Sequence, residues 1–215
     1  MRVYSIFSSI QGEVNYLGQG VWATFVRFAG CNLSCPYCDT KYAWGVDSGK
    51  EVGVSQVVHE VDKLGVIEVT LTGGEPLLQE DLLPLLKQLK SNDHNITIET
   101  NGSLLPQNEE IFEYVDCWVV DYKIGMKFDN KWLDSMLAED FLKFVITNFS
   151  DYKQARSIVK HVYEESKNCP PRIAFSPVTP GLNVNDLMTW MRKDKLYMVQ
   201  INLQLHKLAH IKEEK

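Results

Sequence analysis

Within GCNLSCPYCDT, residues 30–40, Cys31, Cys35 and Cys38 stand in a C-x3-C-x2-C spacing. Thiolates are soft ligands that suit iron–sulfur clusters and zinc. A structural zinc site closes with four ligands, and neither a second cysteine pair nor a nearby histidine supplies the fourth. Asp39 is adjacent but sits poorly for closing a tetrahedron with Cys38. A four-iron cluster held by three thiolates leaves one iron without a protein ligand, and an open position is where chemistry happens. A zinc site and three unconnected thiols stay open as alternatives. Two further cysteines fall outside the loop. Cys117 opens an apolar run and reads as a small buried hydrophobe, while Cys169 is a loop thiol before Pro170 and Pro171.

Other residues are suggestive by type and place. Gly73 and Gly74 in TGGEP would let the backbone approach a ligand at a strand end, although the same letters also make a plain turn. Arg27 stands in the apolar run VWATFVRFA, where an inward guanidinium needs an anion and its planar fork suits a carboxylate. Alternation could equally turn it to solvent. Asp121 and Lys123 read as a strand-end pair, Glu99 as inward or salt-bridged, His206 as surface and Thr40 as a loop residue or N-cap.

Strands and helices must bring these residues together. Strand-like runs fall at 21–29, 67–71, 96–100, 117–121, 141–147, 172–177 and 198–204, with helix-like spacing at 54–64, 82–90, 109–115, 152–166 and 184–193. Ser55 is the expected N-cap of the first helix. This alternation predicts an α/β fold with right-handed crossovers and a parallel sheet, open or curled into a barrel. The reactive ends of such folds are the C-terminal ends of the strands. The cysteine loop, TGGEP, ETNG and DYK each follow successive strands there.

The 215 residues suffice for one domain over 1–215, and no repeat or linker divides them. A formal net charge of −6 without basic runs argues against a nucleic-acid partner. No apolar stretch is long enough to span a membrane. MRVYSIFSSIQGEV lacks the apolar core of an export signal, so a cytoplasmic setting with reduced cysteines is expected.

C-x3-C-x2-C with Tyr37 before the third cysteine, followed by TGGEP, resembles the radical S-adenosylmethionine superfamily. SSIQGEVNYLGQGVWATFVRFAGCNLSCPYCDTKYAW is similar to the 7-carboxy-7-deazaguanine synthase family, which carries Gln-Gly-Glu, Phe-Val-Arg and Cys-Asp-Thr in this order. The resemblance implies a partial, incomplete TIM-like β/α barrel of about six parallel strands, with some helices trimmed. It implies a 4Fe-4S cluster on Cys31, Cys35 and Cys38, and S-adenosyl-L-methionine beside Tyr37, Cys38, Asp39, Gly74, Asp121, Tyr122 and Lys123. Mg2+ would be held by Thr40. Ile10, Gln11, Gly12, Glu13, Arg27, Thr72 and His206 would bind a pterin, with Arg27 on its carboxylate.

The implied reaction converts 6-carboxy-5,6,7,8-tetrahydropterin to 7-carboxy-7-deazaguanine with loss of ammonia, in queuosine and 7-deazapurine biosynthesis. The family also implies an electron donor such as a flavodoxin or ferredoxin, and a homodimer. DYK departs from the family's Ser-x-Lys at Asp121, and the tail after LQLHK departs from the usual continuation, which bears on whether segment 198–215 completes the substrate pocket. A glycyl-radical-activating relative would share the cysteines and TGGEP but has no use for Gln-Gly-Glu with Arg27. A non-catalytic metal-binding module would hold zinc.

Overall fold

The computed structural model describes residues 1–165, 170–179 and 181–211. In chain order the elements are β1 (Arg2–Ile10), β2 (Trp22–Phe28), β3 (Lys50–Glu51), α1 (Val54–Leu64), β4 (Glu68–Gly73), α2 (Leu82–Ser91), β5 (Asn95–Thr100), β6 (Cys117–Lys123), α3 (Trp132–Ser135), β7 (Phe141–Ile146), α4 (Phe149–Glu165), β8 (Arg172–Pro177), α5 (Val184–Lys193), β9 (Gln200–Ile201) and α6 (Leu205–Leu208). One sheet orders them β3-β1-β2-β4-β5-β6-β7-β8-β9. From β2 through β9 the neighbours are parallel; β1 and β3 are antiparallel additions at one edge. β3 and β9 are not paired to each other, so the barrel stays open.

Alternation divides each strand between two faces. Val69, Leu71, Ile96, Ile98, Val120, Leu142, Phe144, Ile173 and Phe175 face the helices, where they meet Val57, Val58 and Val61 of α1 and Leu82, Leu85, Leu86 and Leu89 of α2. Each such side chain contributes about 1.5–3 kcal/mol on full burial. α1 ends at Gly65, whose φ of 69° closes the helix in the left-handed region. Its N-cap position is taken by Gly53, not Ser55, and no side chain caps it. The other face carries the polar residues. Two crossovers are trimmed: a 3-10 turn at Glu109–Tyr114 joins β5 to β6, and the four-residue α3 joins β6 to β7.

The short β3, α3 and α6 are not expected from the sequence, the helix expected at 109–115 is a 3-10 turn, and two strands depart further. β1 is a nine-residue strand where no strand was expected, because its alternation of polar and apolar residues is broken by a bulge between Val3 and Ser5. The last strand is only Gln200–Ile201, since the chain then turns inward at Asn202 to hydrogen-bond Val14 N and Ser176 Oγ.

Candidate active site

After β1 the chain threads across the concave face of the sheet. Gln11 N donates to Val21 O at 2.6 Å, and Gly20 N returns to Gln11 O at 2.8 Å. Val14 and Tyr16 pack on Cys117, Val119, Phe141 and Ala174, making an apolar floor. Above that floor the inward residues are Arg27, Thr72, Glu99, Asp121, Lys143 and, at the strand end, Lys123. The sheet register places Arg27 beside Thr72 and Asp121 beside Lys143.

Two cavities open over these residues. The first is lined by Cys31, Cys35 and Cys38 with Tyr37, Gly73, Gly74, Asn101, Asp121, Lys123, Lys143, Gln204 and Lys207. The second, about 430 Å³, is lined by Phe7, Ile10, Gly12, Trp22, Phe25, Arg27, His206 and Ile211. Glu13, Asp39, Thr40, Thr72 and Glu99 line both, so the cavities meet at these five residues. A volume of this order suits a small bicyclic ligand.

The cysteine loop is fixed from below. Gly30 N donates to Ala43 O, Cys31 N to Trp44 O and Cys38 N to Cys35 O, at 2.9–3.1 Å. The β4 end closes against it, with Gly74 N donating to Phe28 O and Glu75 N to Gly30 O. A Cβ on Gly74 would fall inside contact distance of Gly30 O, so only glycine allows this approach. Glu75 is fully buried and accepts from Leu77 N, Thr100 Oγ1 and Asn101 N at 2.8–3.1 Å. Burial raises its carboxyl above the ordinary range despite these donors.

Among the described residues no three Cys, His, Asp or Glu side chains converge as a single-ion site would. Three thiols spread around one cavity are instead the donor set of a multi-iron cluster with one open corner. Burial pushes the Cys31 and Cys35 thiols up, so a cationic metal is what would keep them as thiolates. In the same cavity the buried Tyr37 hydroxyl has no hydrogen-bond partner, which fits a further polar group bound there. Thr40 Oγ1 lies 3.4 Å from Cys38 Sγ; it holds the N-cap position of the next 3-10 turn without a capping bond.

At the junction, Glu99 Oε1 accepts from Gln11 Nε2 at 3.0 Å and Oε2 from Thr72 Oγ1 at 2.8 Å. Burial, and then the nearby Glu13 carboxylate, raise the Glu99 carboxyl. Glu13 is ion-paired with Lys143 and accepts from Gln204 Nε2 at 2.9 Å. Lys143, 5% exposed, also pairs with Asp121 at 2.9 Å, and Asp121 with Lys123. Burial works against each of these charges, but the partners win: Asp121 is held low and Lys123 and Lys143 are held high. Asp39 is likewise lowered, against burial, by Lys207 at 3.0 Å, with His206 at 4.0 Å beyond it.

Most of the expected site residues are thus gathered. Gln11 is fully buried and reaches the cavities only through Glu99, its amide oxygen accepting from Thr70 at 3.0 Å. The Tyr122 side chain is not brought to the site: alternation turns it to the helix side, 4.3 Å from the Phe128 ring and 5.1 Å from that of Phe144. His206 sits over Gly12, and Leu205 N donates to Gly12 O at 3.0 Å, which ties α6 to the substrate-side cavity. Sequence reasoning does not single out Lys143 in FLKFVIT, although a lone lysine in an apolar strand is the same signal that marks Arg27.

The chain matches the Radical SAM superfamily over residues 25–193. It is 35% identical to the 7-carboxy-7-deazaguanine synthase of Clostridium acetobutylicum, with 96% of this chain and 95% of that one covered. It is 36% identical to the 7-carboxy-7-deazaguanine synthase of Hyperthermus butylicus, with 87% and 82% covered. Among solved structures, QueE from Escherichia coli superposes with a TM-score of 0.74 at 21% identity, covering 94% of this chain and 93% of that chain, a likeness of fold.

Proposed function

The chain belongs to the radical SAM superfamily and, within it, to the 7-carboxy-7-deazaguanine synthase family, and on that premise we propose that its two adjoining cavities bring S-adenosylmethionine and 6-carboxy-5,6,7,8-tetrahydropterin together at Thr72 and Glu99. The protein is a radical SAM lyase of 7-deazapurine biosynthesis, using a 4Fe-4S cluster, S-adenosylmethionine and Mg2+. Neither a glycyl-radical activase nor a non-catalytic metal module is favoured. The observation that carries the assignment of ligands to cavities is the shared lining of Glu13, Asp39, Thr40, Thr72 and Glu99.

Cys31, Cys35 and Cys38 would hold the cluster, Tyr37, Gly74, Asp121 and Lys123 the cofactor, and Thr40 the Mg2+. When bound, the cluster and S-adenosylmethionine would supply hydrogen-abstracting radical chemistry at the pterin. The chain's own groups bind and orient. Arg27 offers its fork to the substrate carboxylate, and the floor of Val14 and Tyr16 keeps bulk water out from below. Glu13, fixed by Lys143 and Gln204, and Glu99, fixed by Gln11 and Thr72, present oriented carboxyl groups to the ring's polar edge. Loss of ammonia requires a proton at the departing nitrogen. Glu99, whose carboxyl is raised by burial and by Glu13 and which lines both cavities, is the group we assign to move it.

The reading extends to one radical SAM domain over 1–215, whose segment 198–215 completes the pocket; support comes from Gln204, His206, Lys207 and Ile211 in the linings, and residues 212–215 lie outside those described. A flavodoxin or ferredoxin as reductant, a homodimer and a cytoplasmic setting belong to the same reading. Among the described residues no helix is long and apolar enough to cross a membrane.

Equilibrium titration of the reconstituted protein tests the division of the cavities. Arg27→Met should weaken pterin binding and leave S-adenosylmethionine binding in place, while Lys123→Met should do the reverse. Both ligands weakening together in both variants would overturn the division.

A further inference from the structure

Arg27 emerges from β2 with no carboxylate within ion-pair distance among the described residues, yet its guanidinium is not loose. Its Cζ lies 5.7 Å from the centroid of the Phe7 ring and 5.6 Å from that of Tyr42. Each ring has a further aromatic neighbour. Phe7 is stacked on Phe25 at 5.4 Å with 13° between the rings, and Tyr42 lies tilted by 41° against Tyr4 at 4.8 Å. These rings come from three separate places: β1, β2 and the 3-10 turn Lys41–Ala43 that follows the cysteine loop.

The bulge in β1 makes this column possible. Val3 pairs with Phe28 and Ser5 with Arg27, so Tyr4 is the extra residue. Without the bulge, alternation would set Tyr4 and Phe7 on opposite faces; the inserted residue brings both to the face of Arg27. The stem is held as well. Gly73 has φ +118°, and a Cβ there would clash with the Phe28 backbone and also stand 2.9 Å from Arg27 Cγ, so the bare strand end lets the arginine stem pack alongside it. A guanidinium held over aromatic faces by cation–π attraction leaves its N–H groups free to hydrogen-bond a ligand. Both Phe7 and Arg27 line the second cavity.

We propose that Phe7 and Tyr42 are positioning residues for Arg27, holding the guanidinium so that its fork selects a carboxylated pterin over one without the carboxylate. The proposal rests on the reading of Arg27 as the carboxylate partner and adds what orients it. The orienting energy is of cation–π size, so removing one ring lowers the preference for the carboxylated ligand about tenfold.

The test is equilibrium binding of 6-carboxytetrahydropterin and of 6-methyltetrahydropterin, which lacks the carboxylate, to the reconstituted full chain with S-adenosylmethionine present. Phe7→Leu and Tyr42→Leu should each lower the affinity ratio of the two ligands about tenfold, and Tyr42→Phe, which keeps the ring, should preserve it. Either leucine variant serves if the other fails to fold. An unchanged ratio in the leucine variants, or an equal loss for both ligands, would overturn the proposal. Arg27→Met separates the two layers. If it abolishes the preference while the ring variants keep it, the stack alone is wrong; if Arg27→Met keeps the preference, the carboxylate reading falls and the stack falls with it.

Discussion

The hydroxyl of Thr72 donates to Glu99 Oε2 at 2.8 Å, and both side chains line both cavities. One strand-end threonine therefore orients the carboxyl group at the meeting point of the two ligands. The other Glu99 oxygen is fixed by Gln11, so the group is held from β4 and from the segment between β1 and β2. Several consequences can be measured.

Thr72→Val keeps the shape of the side chain and removes the donor. A hydrogen bond to a charged group contributes about 1.5–3 kcal/mol to stability, so the variant should unfold earlier by that order, and kcat/KM should fall at least tenfold at temperatures where it is still fully folded. Steady-state assays beside thermal unfolding separate the two effects.

Lys143→Met leaves Glu13 and Asp121 without their shared partner inside the barrel. Breaking a buried ion pair on one side costs about 3–5 kcal/mol, and denaturant unfolding should show a loss of that order. The pH dependence has a definite sign. Asp121 is depressed, so its contribution is present above the ordinary carboxylate pKa of about 3.9 and fades as acid approaches its lower folded value. Lys123 and Lys143 are raised, so theirs is present below about 10.4 and fades above it. The stability gap between wild type and Lys143→Met should be flat from about pH 5 to 9 and shrink at both extremes.

Glu75→Gln tests the seat of the cysteine loop. Three donors converge on this buried carboxylate, and an amide would turn an NH2 group toward one of them. An unsatisfied buried donor costs about 1–3 kcal/mol, so the variant should unfold earlier by that amount in a denaturant titration.

Metal content separates the cluster cysteines from the structural one. Cys31→Ser, Cys35→Ser and Cys38→Ser should each lose iron and acid-labile sulfide after reconstitution. Cys117→Ala should keep both, because this fully buried thiol packs in the floor, with its pKa pushed up to about 12. Zinc in the purified protein with no uptake of iron would favour the metal-module alternative.

Much of this arrangement was legible in the sequence because it rests on local signals. The helices α1 and α5 have the bounds that their apolar spacing predicted, and strands β4 to β8 follow their short apolar runs within two residues at either end. The cysteine loop and Gly74 follow strand ends, as the sequence reading expects, and Thr72 and Arg27 are register neighbours on β4 and β2. What stayed hidden depends on contacts far apart in the chain. β1 was missed because a bulge breaks its period and its partner edge cannot be read locally. The bond from Gln11 to Glu99 spans 88 positions, and the pair of Glu13 with Lys143 spans 130. Tyr122 shows the reverse case: a motif of adjacent letters, DYK, is split between two faces by the strand that carries it.

The most direct measurement is an anaerobic turnover assay of the reconstituted protein with 6-carboxytetrahydropterin, S-adenosylmethionine, Mg2+ and a strong reductant, followed by mass spectrometry. Formation of 7-carboxy-7-deazaguanine by the wild type, and its absence with Cys38→Ala, is the predicted result. Protein carrying an intact, reducible cluster that consumes no pterin would contradict the account.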